Sequence, residues 1–195
     1  LEDADVKVLL VGNRFTDVAT EALSDSRSQN VHLSLVVGGK HETLTDYEEF
    51  LLSSSTDDLP DDQQLLGGPM FYTSGTTGRP KGVRGSLSGG GTIPTEVMQL
   101  IGGSMASYVP ANGKSLLVGP VYHSAQWAFT FMPMINGSSV VMRHKFDGAE
   151  TVELIDSEKI TNIHLVPTQF KRMLDSPEPV KEAFGGESLE SVWHG

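Results

Sequence analysis

Residues 72–83 run Tyr-Thr-Ser-Gly-Thr-Thr-Gly-Arg-Pro-Lys-Gly-Val and set hydroxyl side chains and glycines around one lysine, directly after an apolar stretch. Hydroxyls and exposed backbone N–H groups donate hydrogen bonds to phosphate oxygens, and glycine lets the main chain come close to an anion. Lys81 adds a compact charge able to follow a polyphosphate as it moves or leaves. Polyphosphate binding is the chemistry this combination suits, against the plainer alternative of a turn-rich surface loop. The spacing excludes a Walker A loop, whose lysine touches the second glycine and precedes a magnesium-binding hydroxyl. Here Arg79 and Pro80 separate Gly78 from Lys81, and Gly82 stands where the hydroxyl would be. Nor does a Gly-x-Gly-x-x-Gly dinucleotide fingerprint occur at this point.

The elements that must hold this loop are short β-branched runs alternating with helical stretches. Strands are predicted over 7–11, 31–37, 70–73, 115–118, 139–142, 163–166 and 191–193, and helices over 16–23, 94–101, 126–135 and 147–158. Thr45 and Glu48 have the spacing of a capping box, and Asp147 with Glu150 that of an N-cap and its third helical residue. Such alternation argues for an α/β fold of mostly parallel sheets covered by helices on both faces. Residues 53–68, rich in Ser, Asp, Pro and Gly, read as a solvated loop, and their aspartates as solubilising rather than metal-binding.

Composition narrows the function classes. A net charge of −11 argues against nucleic acid or an anionic membrane as partner and leaves small molecules. With no cysteine, disulfides, zinc–thiolate sites and cysteine nucleophiles are excluded. No Gly-x-Ser-x-Gly elbow supports a serine hydrolase. The most apolar long run, 127–135, is too short to span a membrane and contains Pro133, so it is predicted to be a buried helix. Within it Trp127, Phe129 and Phe131 are expected in the core, with an acyl-pocket wall as the alternative. His32, His41, His144 and His164 show no pattern that suggests a metal or a triad.

Residues 72–83 resemble the phosphate-binding loop of the adenylate-forming (AMP-binding) superfamily of acyl-CoA synthetases, luciferases and peptide-synthetase adenylation domains. Three later segments extend the resemblance in the right order: Gly119–Ala125 with its Pro-x-Tyr-His, Phe146-Asp147 followed by His164–Thr168 with its Val-Pro-Thr, and Ser188–Gly195, similar to the strand that enters a Gly-Ala-Ala-Pro turn. The acyl-CoA synthetase (fatty-acid–CoA ligase) branch is resembled most. Arg84-Gly85, where many members carry Thr-His, points away from luciferases and plant ligases and toward bacterial fatty-acyl ligases.

The resemblance implies an enzyme, an AMP-forming acid–thiol ligase. Its substrate would be a carboxylate, a fatty acid first, joined to ATP with release of pyrophosphate and then passed to coenzyme A; Mg2+ would be bound mostly by residues outside these 195. Thr73, Ser74, Gly75, Thr76, Thr77, Gly78 and Lys81 would hold the phosphates and Gly195 the adenine side. His123 and His194 would contact substrate, His123 without acid–base duty. The alternatives are a domain loading an amino or aryl acid on a carrier protein, and a non-catalytic nucleotide-binding module. Residues 1–195 are expected to be a fragment of the larger N-terminal domain, lacking its later elements and the C-terminal domain, inactive alone and cytoplasmic in location.

Overall fold

The computed structural model describes residues 1–60, 68–74, 78, 80–84, 97, 100, 101, 103, 104 and 108–195. The chain forms two compact units, one of residues 1–64 with 72–83, the other of 65–71 with 84–195. As expected, it is an α/β protein with parallel sheets flanked by helices.

In the first unit, β1 (Val8–Gly12), β2 (Leu33–Val37) and β3 (Thr45–Asp46) form a parallel sheet in that order, with Leu10 opposite Leu35 and Leu35 opposite Thr45. Helix α1 (Thr16–Ser24) makes the crossover between β1 and β2. Helix α2 (Tyr47–Leu52) starts one residue later than the capping-box spacing suggests. The cap is Asp46, whose carboxylate accepts from the Glu49 N–H at 2.9 Å.

The chain then enters β4 (Met70–Thr73), which pairs with β5 (Lys81–Arg84). Both strands straddle the boundary between the units. The helix predicted over 94–101 falls mostly outside the described residues.

The second unit is built on a four-stranded sheet ordered β7 (Ser139–Met142), β6 (Lys114–Leu117), β8 (Asn162–Leu165), β9 (Ser191–His194), every ladder parallel. Side-chain alternation divides its two faces. Leu116, Ile163 and Leu165 turn to one face and, with Val118, Ile155 and Ile160, form the buried core against helices α4 (Gly148–Ser157) and α5 (Pro167–Leu174). Ser115, Asn162 and His164 turn to the other, against helix α3 (Ser124–Phe131). A short helix α6 (Glu178–Ala183) follows α5. The predicted 126–135 helix splits at Met132 into a 3-10 turn, since Pro133 lacks the N–H that an α-helix would use there.

Helix α4 begins where expected: Asp147 accepts from the Glu150 N–H at 3.0 Å. Asp147→Ala is predicted to destabilise the chain by about 1 kcal/mol. Thermal unfolding would check this, and an unchanged midpoint would refute it.

Candidate functional site

Among the predicted phosphate-loop residues, Thr73, Ser74, Gly78 and Lys81 are described and all are exposed; Gly75, Thr76 and Thr77 lie outside the described residues. Thr73 Oγ1 donates to the Lys81 carbonyl at 3.5 Å, across the β4–β5 pair. Gly78 has φ +78°, a left-handed conformation natural to glycine, and a Cβ there would meet nothing within 4 Å. Strands β4 and β5 thus place the exposed Thr73 and Ser74 hydroxyls at one end of this segment and the exposed Lys81 at the other. These residues fit a polyphosphate. Among the described residues no group of three His, Asp or Glu could by itself hold a metal.

In the second unit, the parallel strands bring the ends of β6, β8 and β9 to one edge, which in open α/β sheets is where ligands bind. His123 sits there as the N-cap residue of α3, in a turn closed by its N–H on the Pro120 carbonyl at 2.9 Å. Its side chain is exposed and does not cap the helix. His194 ends β9 and meets the Phe170 ring edge-on at 6.4 Å. The turn after β8 is fixed by Gln169, whose Oε1 accepts from the Val166 N–H at 2.9 Å while its Nε2 donates to the Val118 carbonyl at 3.1 Å. One side chain thereby ties the Val-Pro-Thr segment to the end of β6.

His164 joins His123 and His194 at this edge, although its sequence showed no metal or triad pattern and the segment it opens gave it no role. It is 5% exposed, and its ring stacks on Phe129 at 5.3 Å between centroids. Phe129 also stacks on Trp193 at 5.0 Å, and His164 and Trp193 are partners across the β8–β9 ladder. Trp127, Phe129 and Phe131, expected in the core with an acyl-pocket wall as the alternative, are each half-buried; only Phe129 joins this wall, and Trp127 meets Phe71 edge-on at 6.1 Å instead. On a helix, residues two apart point to different sides, so their period-2 spacing could not line one wall.

Burial holds His164 below the usual histidine pKa, aided by the neighbouring His123 and His194. Below about pH 6.5, the ordinary histidine value, the unfolded chain takes up a proton that folded His164 refuses. Stability therefore falls as pH drops from there toward the folded value, with a slope of at most about 1.4 kcal/mol per pH unit from this residue. The difference in unfolding free energy between wild type and His164→Phe is predicted to shrink on going from pH 7.5 to pH 5. A pH-independent difference would refute the assignment.

The AMP-binding enzyme family matches residues 1–194. The chain belongs to that family. It is 36% identical over 138 residues to a medium/long-chain-fatty-acid–CoA ligase of Mycobacterium tuberculosis, covering 71% of this chain and 22% of the relative. An indoleacetate–CoA ligase of Aromatoleum aromaticum is 33% identical over 138 residues, covering 66% of this chain and 25% of that protein. The matched part of the chain thus spans about a quarter or less of these relatives' length. An anthranilate CoA ligase, solved in complex with anthranoyl-AMP, superposes on the whole chain over 37% of its own length with a TM-score of 0.76 at 16% identity, a likeness of fold.

Proposed function

We propose that these residues are the phosphate-holding and acid-facing part of an acyl-CoA ligase, which activates a carboxylate with ATP and passes the acyl group to coenzyme A. The observation that carries this reading is the loop at 72–83, with Lys81 and the Thr73 and Ser74 hydroxyls exposed around the left-handed Gly78. Lys81 would neutralise charge on the departing pyrophosphate, and the hydroxyls would align the polyphosphate for attack at the α-phosphorus. His123, His194 and Gly195 would face the acid and nucleotide at the strand edge. A fatty acid is the first choice of substrate, in keeping with the 36% identical fatty-acid relative. ATP, Mg2+ and coenzyme A complete the reaction, and a cytoplasmic location belongs to the same reading. No helix among the described residues is long and apolar enough to cross a membrane.

Carboxylate-dependent ATP–pyrophosphate exchange on the full-length protein tests this, across fatty, aryl and amino acids. Exchange with fatty acids supports the reading whole. Exchange restricted to amino acids would move it to carrier-protein loading, and none with any acid, in a folded protein that binds ATP, would leave a nucleotide-binding module. The 195 residues alone, whose matched part covers only 22–25% of these relatives, are proposed to show no exchange.

A further inference from the structure

Gln126 and His164 form a buried polar pair that packing alone does not call for. Gln126 is 4% exposed on the first turn of α3, and His164 is 5% exposed on β8. The Gln126 amide nitrogen donates to the His164 carbonyl at 3.1 Å and lies 3.1 Å from His164 Nδ1. A carbonyl only accepts, so the amide must present its nitrogen there; the reversed amide would set two oxygens against each other. The second amide hydrogen then points to Nδ1, making Nδ1 an acceptor. A neutral imidazole with Nδ1 accepting carries its proton on Nε2. A charged ring would donate from both nitrogens and meet the amide hydrogens head on, so the pair and the burial act in the same direction.

Two further observations show that orienting His164 is what Gln126 is placed for. Its own Oε1 is buried with no hydrogen-bond partner, a cost accepted while both amide hydrogens stay on His164. Gly119, at the end of the β6 segment, leaves room for it: a Cβ there would lie 2.5 Å from the Gln126 Cδ. The ring so fixed has Phe129 on its face, and its Nε2 lies 3.7 Å from where a Cβ of Gly195 would be. Among the described residues Nε2 has no hydrogen-bond partner. A neutral N–H donor is therefore held at the C-terminal edge of the parallel strands, beside Gly195 and against the Phe129 ring.

We propose that His164, locked by Gln126 as its Nε2–H form, is a specificity-determining donor that favours acids whose acyl group carries an uncharged acceptor oxygen (hydroxy, oxo or methoxy) over hydrocarbon acids of the same skeleton. The inference rests on the acid-activation reading above and narrows its substrate class. An uncharged donor flanked by Phe129 and Trp193 suits a neutral oxygen better than a second carboxylate, which would need a cation or several donors. A hydrocarbon acyl group at this point would cover the N–H and leave it unmade.

The test is exchange kinetics on the full-length protein with hexanoate and benzoate, each against its hydroxy, oxo or methoxy derivatives. At least one oxygen-bearing acid is expected to exceed its hydrocarbon parent roughly ten- to a hundredfold in kcat/KM. That ratio should fall toward one in His164→Phe, which keeps a ring for the stack and removes the N–H. Ring 15N NMR supplies a readout that needs no substrate: His164 should show a protonated Nε2 and a bare Nδ1 in the wild type, and a mixture in Gln126→Leu. A preference for hydrocarbon parents, a ratio indifferent to His164→Phe, or an Nδ1–H ring in the wild type each overturns the proposal while the ligase reading stands. No exchange with any acid would overturn the ligase reading and this proposal with it.

Discussion

Lys81→Ala in the full-length protein is expected to lower carboxylate-dependent ATP–pyrophosphate exchange by roughly a hundred- to a thousandfold, the loss seen when one donor to a developing charge is removed. Lys81 opens β5, its backbone is held to Thr73 across the strand pair, and its side chain is exposed. Five other lysines, at 7, 40, 114, 171 and 181, are occupied by carboxylates within 3.2 Å. Among the described residues no carboxylate pairs with Lys81, so its charge remains available to an incoming anion. Because negative charge grows on the pyrophosphate as the bond to the α-phosphorus breaks, the loss should fall on kcat more than on KM for ATP. Lys81→Arg keeps the charge on a bulkier, planar group and should recover only part of the rate. A wild-type rate in Lys81→Ala would remove the loop from the reaction.

How much of this was legible in the sequence depended on how local the determinants were. The strand at 139–142 and the cap at Asp147 were placed to the residue, because β-branched runs and Asx caps act through their immediate neighbours. Helix α5 escaped notice: it starts at Pro167, directly after a strand, and draws its N-terminal partner from Gln169, which also reaches the end of β6. Strand β5 escaped too, since Lys-Gly-Val-Arg carries only one β-former and depends on β4 for its pairing. At the candidate site, His123, His194 and Gly195 were expected from the family resemblance. His164 was not, because its significance comes from residues 38 and 35 positions away, Gln126 on α3 and Phe129 beside it. One signal was present: a histidine in a four-residue strand whose every position proves buried must find a polar partner, and a glutamine on a helix that packs on the same sheet, as Gln126 on α3 does, is a natural one.

Leu116→Ala is expected to destabilise the second unit by about 2–5 kcal/mol, and Leu165→Ala by less, although both side chains are 1% exposed. Both belong to the core cluster with Ile155, Ile160 and Ile163. They differ in what lies beside them. Leu165 borders a half-open apolar cleft of about 370 Å³ shared with Phe170, Met173 and Phe184, whereas Leu116 does not line it. A side chain bordering a cleft lacks packed neighbours on that side, so removing it loses less dispersion contact than removing one enclosed on every side. Leu116 is also paired on both sides, with Val141 and Ile163, whereas Leu165 has a ladder partner only in His194, so the backbone around Leu116 resists more strongly the collapse that would refill the space. The chain's two tryptophans, Trp127 and Trp193, both lie in the second unit, so fluorescence-monitored urea unfolding reports that unit. A lower midpoint at constant m for Leu116→Ala, with a smaller drop for Leu165→Ala, is the expected order. The reverse order would mean that the space beside Leu165 is filled by α5 and α6 in solution, and that the core closes most tightly there.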